Sequence, residues 1–264
     1  IQAITTGAPG LALGNVVGSN TANILLVLGL PAIVSRLHTA EFDTRRSYMM
    51  MLAASLFFIA LCFIGPIGIW HGFALLILLA WVLGQQARSA LRHRRNNGKG
   101  DDTGEELEAA DPEMPFWKIA VFLVLGLVGL PLGANLLVDA AVEIATRFGV
   151  SDSVIGLTLV ALGTSLPELA TTTMAAIRRQ ADVALGNVIG SNLFNLLAII
   201  GIASLFGPIP VPPEFLRFDL WVMFGASILL APFVFTSKLD LTRRWGFLLV
   251  ALYVIYIVIV VHNG

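Results

Sequence analysis

Apolar stretches about as long as a bilayer is thick recur from one end of the chain to the other, separated by short polar segments. They fall at 12–34, 46–64, 68–87, 116–147, 153–176, 183–206, 218–236 and 245–262. About 20 apolar residues suffice for a helix to cross the hydrocarbon core, and a backbone in lipid must pair its own N–H and C=O groups. The pattern therefore predicts an all-α polytopic membrane protein with eight spans. Within that apolar background one motif occurs twice. Gly14–Gly29 reads GNVVGSNTANILLVLG and Gly186–Gly201 reads GNVIGSNLFNLLAIIG, identical at nine of sixteen positions, asparagines and serine included.

Composition sharpens this reading. Only 12% of residues are charged and 57% are hydrophobic, with a mean hydropathy of +0.85. Soluble domains carry roughly 25% charged residues, so water-soluble classes are excluded. The net charge of −1 hides a partition. Fourteen of the sixteen Lys and Arg residues (Arg36, Arg45, Arg46, the run from Arg88 to Lys118, Arg178, Arg179, Lys238, Arg243 and Arg244) flank alternate loops. Only Arg147 and Arg217 fall on the other side. The positive-inside rule puts the fourteen in the cytoplasm. Charges so partitioned do not form a nucleic-acid surface, and no nucleic-acid partner is expected. The single Cys62 lies in an apolar run and reads as packing.

The duplicated motifs are offset by 172 residues. This offset aligns uncharged Thr6 and Gly7 with Arg178 and Arg179, and the bare turn Gly65–Gly68 with the basic segment Lys238–Arg244. One turn is thus cytoplasmic in one copy and external in the other, so the copies are inverted. The offset also pairs Ile1 with Thr173, leaving about 57 residues from Phe116 to Thr172 without a counterpart. With no initiator Met at IQAITTG, the chain reads as lacking its first two helices, with about eight of ten present in a 5+5 inverted-repeat architecture. Three units are expected: a first repeat domain over 1–90, a polar cytoplasmic linker over 91–115 and a second repeat domain over 116–264. Inverted repeats are a hallmark of secondary transporters, whose site lies near the midplane where the repeats meet.

Asn15, Ser19 and Asn23 are four apart, as are Asn187, Ser191 and Asn195. On a helix each trio makes one polar stripe. Such side chains commonly join membrane helices to one another, but two symmetry-related stripes also suit a shared ligand. A second motif adds a charge. Ala161–Glu168 reads ALGTSLPE. Pro167 has no N–H and clashes with the preceding turn, so it breaks the span and frees carbonyls. Thr164 and Glu168 share a face, with Ser165 beside them. A carboxylate within a span costs about 2.5–3.5 kcal/mol on insertion scales and marks function by default. Hydroxyls, amides, carbonyls and a carboxylate are the oxygen ligands of hard cations, about six to eight for Ca2+. No His or thiolate cluster suits zinc or copper.

The run G-T-S-L-P-E followed by G-N-x-x-G-S-N-x-x-N resembles the second α-repeat of the sodium/calcium exchanger (cation/Ca2+ antiporter) superfamily, and GNVVGSNTAN resembles the distal half of its first α-repeat. The resemblance implies ten helices in two inverted halves around a central ion-binding core. It implies that Thr164, Ser165 and Glu168 bind ions, joined by Ser191 and Asn195 from the next helix and by Ser19 and Asn23 from the first repeat. The carbonyl of Ala161 would serve a sodium site. Some members carry Asp where this chain has Asn195, so charge here would rest on Glu168 and a first-repeat carboxylate in the missing segment. The implied activity is Ca2+/Na+ antiport by a prokaryotic inner-membrane protein. Ca2+ and Na+ are then transported rather than tightly bound as cofactors. The expected partners are the lipid bilayer and inorganic cations, with no obligate protein partner.

Coupling to H+, or transport of another cation on the same fold, stays open, as does a non-transporting membrane sensor or scaffold. An intramembrane enzyme built on Asp139 and Asp219 has no motif behind it, and no enzyme activity is expected. Asp43, Glu214 and Asp219 lie near span ends and read as solvated or capping groups. Glu143 and Arg147 read as an interfacial i,i+4 pair.

Overall fold

The computed structural model describes residues 9–37, 44–97, 151–236 and 239–263, with scattered positions between 117 and 149. Its helices are α1 (Gly10–Val34), α2 (Thr44–Ile64), α3 (Ile69–Asn97), α4 (Ser153–Thr164), α5 (Leu166–Ile177), α6 (Ala181–Ala203), α7 (Phe215–Phe235) and α8 (Arg243–Asn263). Six of them are long and apolar enough to cross a membrane, and α4 with α5 make a seventh span bent by 42°. The expected span at 116–147 lies largely outside the described residues, although each described position between 117 and 147 is helical. Helix α3 runs on to Asn97, into the segment expected to be linker from residue 91. The rest of that segment is outside the described residues.

Burial orders the helices. In α1, 83% of the apolar window is buried within the protein, against 56% in α6, 28% in α8 and 17% in α3. The two carriers of the duplicated motif therefore form the centre. The peripheral helices turn apolar side chains outward, Ile77 at 69% and Val258 at 61% exposure. Lipid tails are as apolar as these side chains, so such a face carries no penalty in a bilayer.

The halves are joined reciprocally. Two isolated antiparallel bridges link them, Leu37 with Leu241 (N···O 3.2 and 3.0 Å) and Ile67 with Ile209 (2.9 and 3.0 Å). Leu37 and Ile209 are 172 residues apart and Ile67 and Leu241 are 174 apart, so the bridges correspond under the repeat with a shift of two residues. Two helix crossings correspond in the same way, Gly29 with Gly201 (172 apart) and Gly72 with Gly246 (174 apart). A Cβ on Gly246 of α8 would lie 2.7 Å from the Gly29 carbonyl of α1, and one on Gly72 of α3 would lie 2.7 Å from the Gly201 carbonyl of α6. Absent side chains let these backbones touch. Each half's outermost helix is thus packed on the other half's central helix, which is the inverted-repeat arrangement. Basic residues close the ends: Arg243 donates to the Ile33 carbonyl (2.8 Å) and Arg45 to those of Val234 and Phe235 (3.3 and 3.2 Å). Cations suit the negative end of a helix dipole.

Among the described residues four helices contain a π turn, at Asn23–Val27, Gly156–Val160, Asn195–Ile199 and Phe215–Asp219. The first and third begin at the last asparagine of each motif copy. Such turns concentrate at functional sites, and here the repeat has preserved one in both copies.

Candidate cation site

The break between α4 and α5 falls at Ser165, whose φ of −91° and ψ of −2° leave the helical range for one residue. Pro167 then occupies the first turn of α5, where a missing N–H removes no hydrogen bond. Glu168 lies in that same turn, at the positive end of the helix dipole. The proline expected to break the span does so two residues before its own position.

Helix α1 reaches this break by close backbone approach. A Cβ on Gly18 would sit 2.4 Å from the Leu157 carbonyl and 2.7 Å from the Ala161 Cβ. At the crossing, the Ser19 and Thr164 hydroxyls are 2.9 Å apart, and Thr164 donates to Asn15 Oδ1 at 2.8 Å. Ser19 also reaches Asn15 Oδ1 (3.2 Å), and both hydroxyls approach the Ala161 carbonyl, at 3.5 Å from Ser19 and 3.2 Å from Thr164. The first stripe and the ALGTSLPE break therefore share one hydrogen-bonded group.

The second stripe meets the other side of the break. Ser191 donates to Glu168 Oε1 at 3.5 Å. Asn187 donates to the hydroxyls of Thr171 and Thr172 at 2.9 and 3.0 Å, which makes it a tie between α5 and α6. Glu168, Asn187, Ser191 and Asn195, with Gly186, Gly190 and Phe194, line an open groove of about 410 Å³.

Where α1 crosses α6, four asparagines interlock. Asn23 donates to Asn192 Oδ1 (3.0 Å) and Asn195 to Asn20 Oδ1 (3.1 Å). Asn20 and Asn192 lie off the four-residue stripes, so side-chain spacing does not select them. The signal in the sequence is their duplication at the same offset inside GSN.

Among the described residues, three buried side-chain oxygens have no hydrogen-bond partner: Asn23 Oδ1, Ser165 Oγ and Glu168 Oε2. An unsatisfied buried polar atom costs about 1–3 kcal/mol, so native structures rarely keep one without a use. All three belong to residues that the sequence motifs single out. Among the described residues there is no group of three His, Cys, Asp or Glu, so the donor set is one carboxylate among neutral oxygens. That set suits a hard cation.

One expectation is corrected. Asp219, read as a solvated or capping group, is 4% exposed, makes no side-chain cap and accepts a hydrogen bond from Tyr256 at 3.1 Å. The bond comes from α8, a contact 37 residues away that span-end position does not reveal. The Glu143–Arg147 ion pair is present.

Polar groups gathered at the crossing of two inverted repeats place the protein among the secondary transporters. Comparison with known proteins gives the family. The chain belongs to the sodium/calcium exchanger protein family, whose sequence model matches residues 1–86 and 118–262. It is 36% identical to the putative antiporter CaxA of Alkalimonas amylolytica, over 88% of this chain and 72% of that protein. It is 32% identical to the sodium/calcium exchanger MaX1 of Methanosarcina acetivorans, over 99% of this chain and 83% of that protein. The fold matches a structure of the sodium-calcium exchanger NCX_Mj soaked with zero Na+ and Ca2+, with a TM-score of 0.72 and 34% identity. That match covers 97% of this chain and 79% of NCX_Mj. The protein is accordingly a polytopic integral membrane transporter.

Proposed function

We propose that this chain exchanges Ca2+ for Na+ across a prokaryotic inner membrane, at the crossing of α1, α4, α5 and α6. The observation that carries the site is the trio of unpartnered buried oxygens on Asn23, Ser165 and Glu168. A metal cation is the partner that satisfies a carboxylate, a hydroxyl and an amide oxygen together. Glu168 supplies the negative charge. Ser165 and Thr164 add hydroxyls from the break, and Ser191 and Asn195 add oxygens from α6. Ser19 and Asn23 complete the cage from α1, and the Ala161 carbonyl, which already faces two hydroxyls, serves Na+.

Exchange follows from charge. A site with few carboxylates neutralises one divalent ion or a small number of monovalent ions, so each species displaces the other. The inverted repeats then give the site an equivalent route to each face of the membrane. The test is Ca2+ uptake into proteoliposomes of the full-length protein under an imposed Na+ gradient, then under a pH gradient alone. Uptake driven by Na+ supports the proposal. Uptake driven only by the pH gradient replaces it with H+ coupling, and uptake under neither contradicts transport of Ca2+.

A further inference from the structure

We infer that Asn20 and Asn192 are positioning residues that set the direction in which Asn23 and Asn195 present their oxygens; the inference rests on the cation site proposed above. A side-chain amide can face a cation with its oxygen or, turned over, with its NH2 group. Only the first orientation binds, so something must hold it.

The structure contains a chain of fixed polarity that does this. A main-chain carbonyl only accepts. The Asn192 carbonyl accepts from Asn20 Nδ2 at 3.5 Å, and the Asn20 carbonyl accepts from Asn192 Nδ2 at 3.3 Å. Each carbonyl thereby fixes which way its partner's amide points. With Nδ2 so committed, Asn20 Oδ1 takes the Nδ2 of Asn195 (3.1 Å) and Asn192 Oδ1 takes the Nδ2 of Asn23 (3.0 Å). The oxygens of Asn23 and Asn195 are left to point away from the clamp. For Asn23 that oxygen is one of the three without a protein partner. Turning over either clamp amide would set Nδ2 against Nδ2 and oxygen against carbonyl, two repulsive contacts in place of two bonds.

Both clamp residues are 1% exposed, at the centre of the α1–α6 crossing. The pairing is diagonal. Asn20 serves Asn195 of the other repeat, and Asn192 serves Asn23, residues separated by 175 and 169 positions. Each repeat therefore orients the ligand of the other.

The diagonal gives a test that separates positioning from packing. Half-saturating Na+ and Ca2+ concentrations are measured in proteoliposomes of the full-length protein for Asn20→Leu, Asn195→Leu, Asn23→Leu and the pairs. Asn20→Leu should raise at least one of the two concentrations by about tenfold, as loss of one oriented polar contact does. Added to Asn195→Leu it should raise it no further, because the amide it orients is gone. Added to Asn23→Leu it should act in full. Asn192→Leu should show the mirror pattern. If Asn20→Leu is not recovered folded, Asn20→Ser, too short to reach Asn195, carries the same expectation. Full additivity in both backgrounds, or unchanged half-saturation with reduced folded yield, overturns the clamp. Unchanged half-saturation in both Asn23→Leu and Asn195→Leu instead overturns the site itself.

Discussion

Helices α1 and α6 carry nearly the same sixteen residues, yet their small-residue faces meet different surroundings. On α1, Gly14 and Gly18 are pressed onto α4, and a methyl group added at Gly14 would fall 2.8 Å from the Ser153 carbonyl. On α6, the equivalent Gly186 and Gly190 have no described atom within 4 Å of that methyl position, and they line the open groove beside Glu168. The shared motif thus meets α4 on one copy and, among the described residues, no equivalent helix on the other. The glycines prepare a face for a helix carrying an ALGTSLPE-type break; α4 fills that role for α1. What the two copies do share is the interior: the π turn and the diagonal amide bonds are reproduced in both. The polar half of the motif joins α1 to α6, and the glycine half lets α4 approach α1 closely.

The comparison can be broken most severely at Glu168, the carboxylate that accepts from Ser191 of the second copy. Glu168→Gln keeps the shape and removes the charge, and transport by the full-length protein should fall by roughly 100-fold or more, the scale of several kcal/mol, while membrane expression persists. Retention of near-normal Ca2+ flux by that variant would remove Glu168 from the site. Next in size is the glycine contrast. In the chain from Ile1 to Gly264, Gly18→Ala should destabilise by about 1–3 kcal/mol through overpacking, whereas Gly190→Ala should stay within about 0.5 kcal/mol. Thermal unfolding in detergent measures both, and equal losses would mean that the face of α6 is covered after all. Smallest are the hydroxyls. Ser19→Ala and Ser191→Ala each remove one neutral oxygen among several, so half-saturation should rise by only a few-fold, about 0.5–1.5 kcal/mol. A much larger loss at Ser19 than at Ser191 would show that the copies contribute unequally.

Much of this is legible in the residues. Span positions follow from apolar run length, which is a local property, and the described helices begin and end within a few residues of the runs, except that α3 continues ten residues past its run to Asn97. The inversion is legible because Arg and Lys mark one face, and the break at Ser165 because a proline inside a span disrupts the helix. What the pattern does not reveal depends on distant partners. Asn20 and Asn192 break the i,i+4 rule, and their role exists only once α1 and α6 cross. The bridges at Leu37–Leu241 and Ile67–Ile209 are one residue long on each side and leave no strand pattern. Asp219 is buried where Tyr256, 37 residues further on, donates a hydrogen bond to it. The linker's first residues continue α3 because helical propensity in a run such as ALRHRRNN does not end where apolarity does.

The central claim is that one cation site lies between the two motif copies and is anchored on Glu168. The most direct measurement is the position of Ca2+ in crystals of the full-length protein, located by its anomalous scattering. The predicted result is an ion bonded to Glu168 at about 2.3–2.6 Å, enclosed between α1 and α6 and displaced when Na+ replaces Ca2+. An ion bound instead at the outer pocket of Asp219 and Glu214, with none at Glu168, would contradict it.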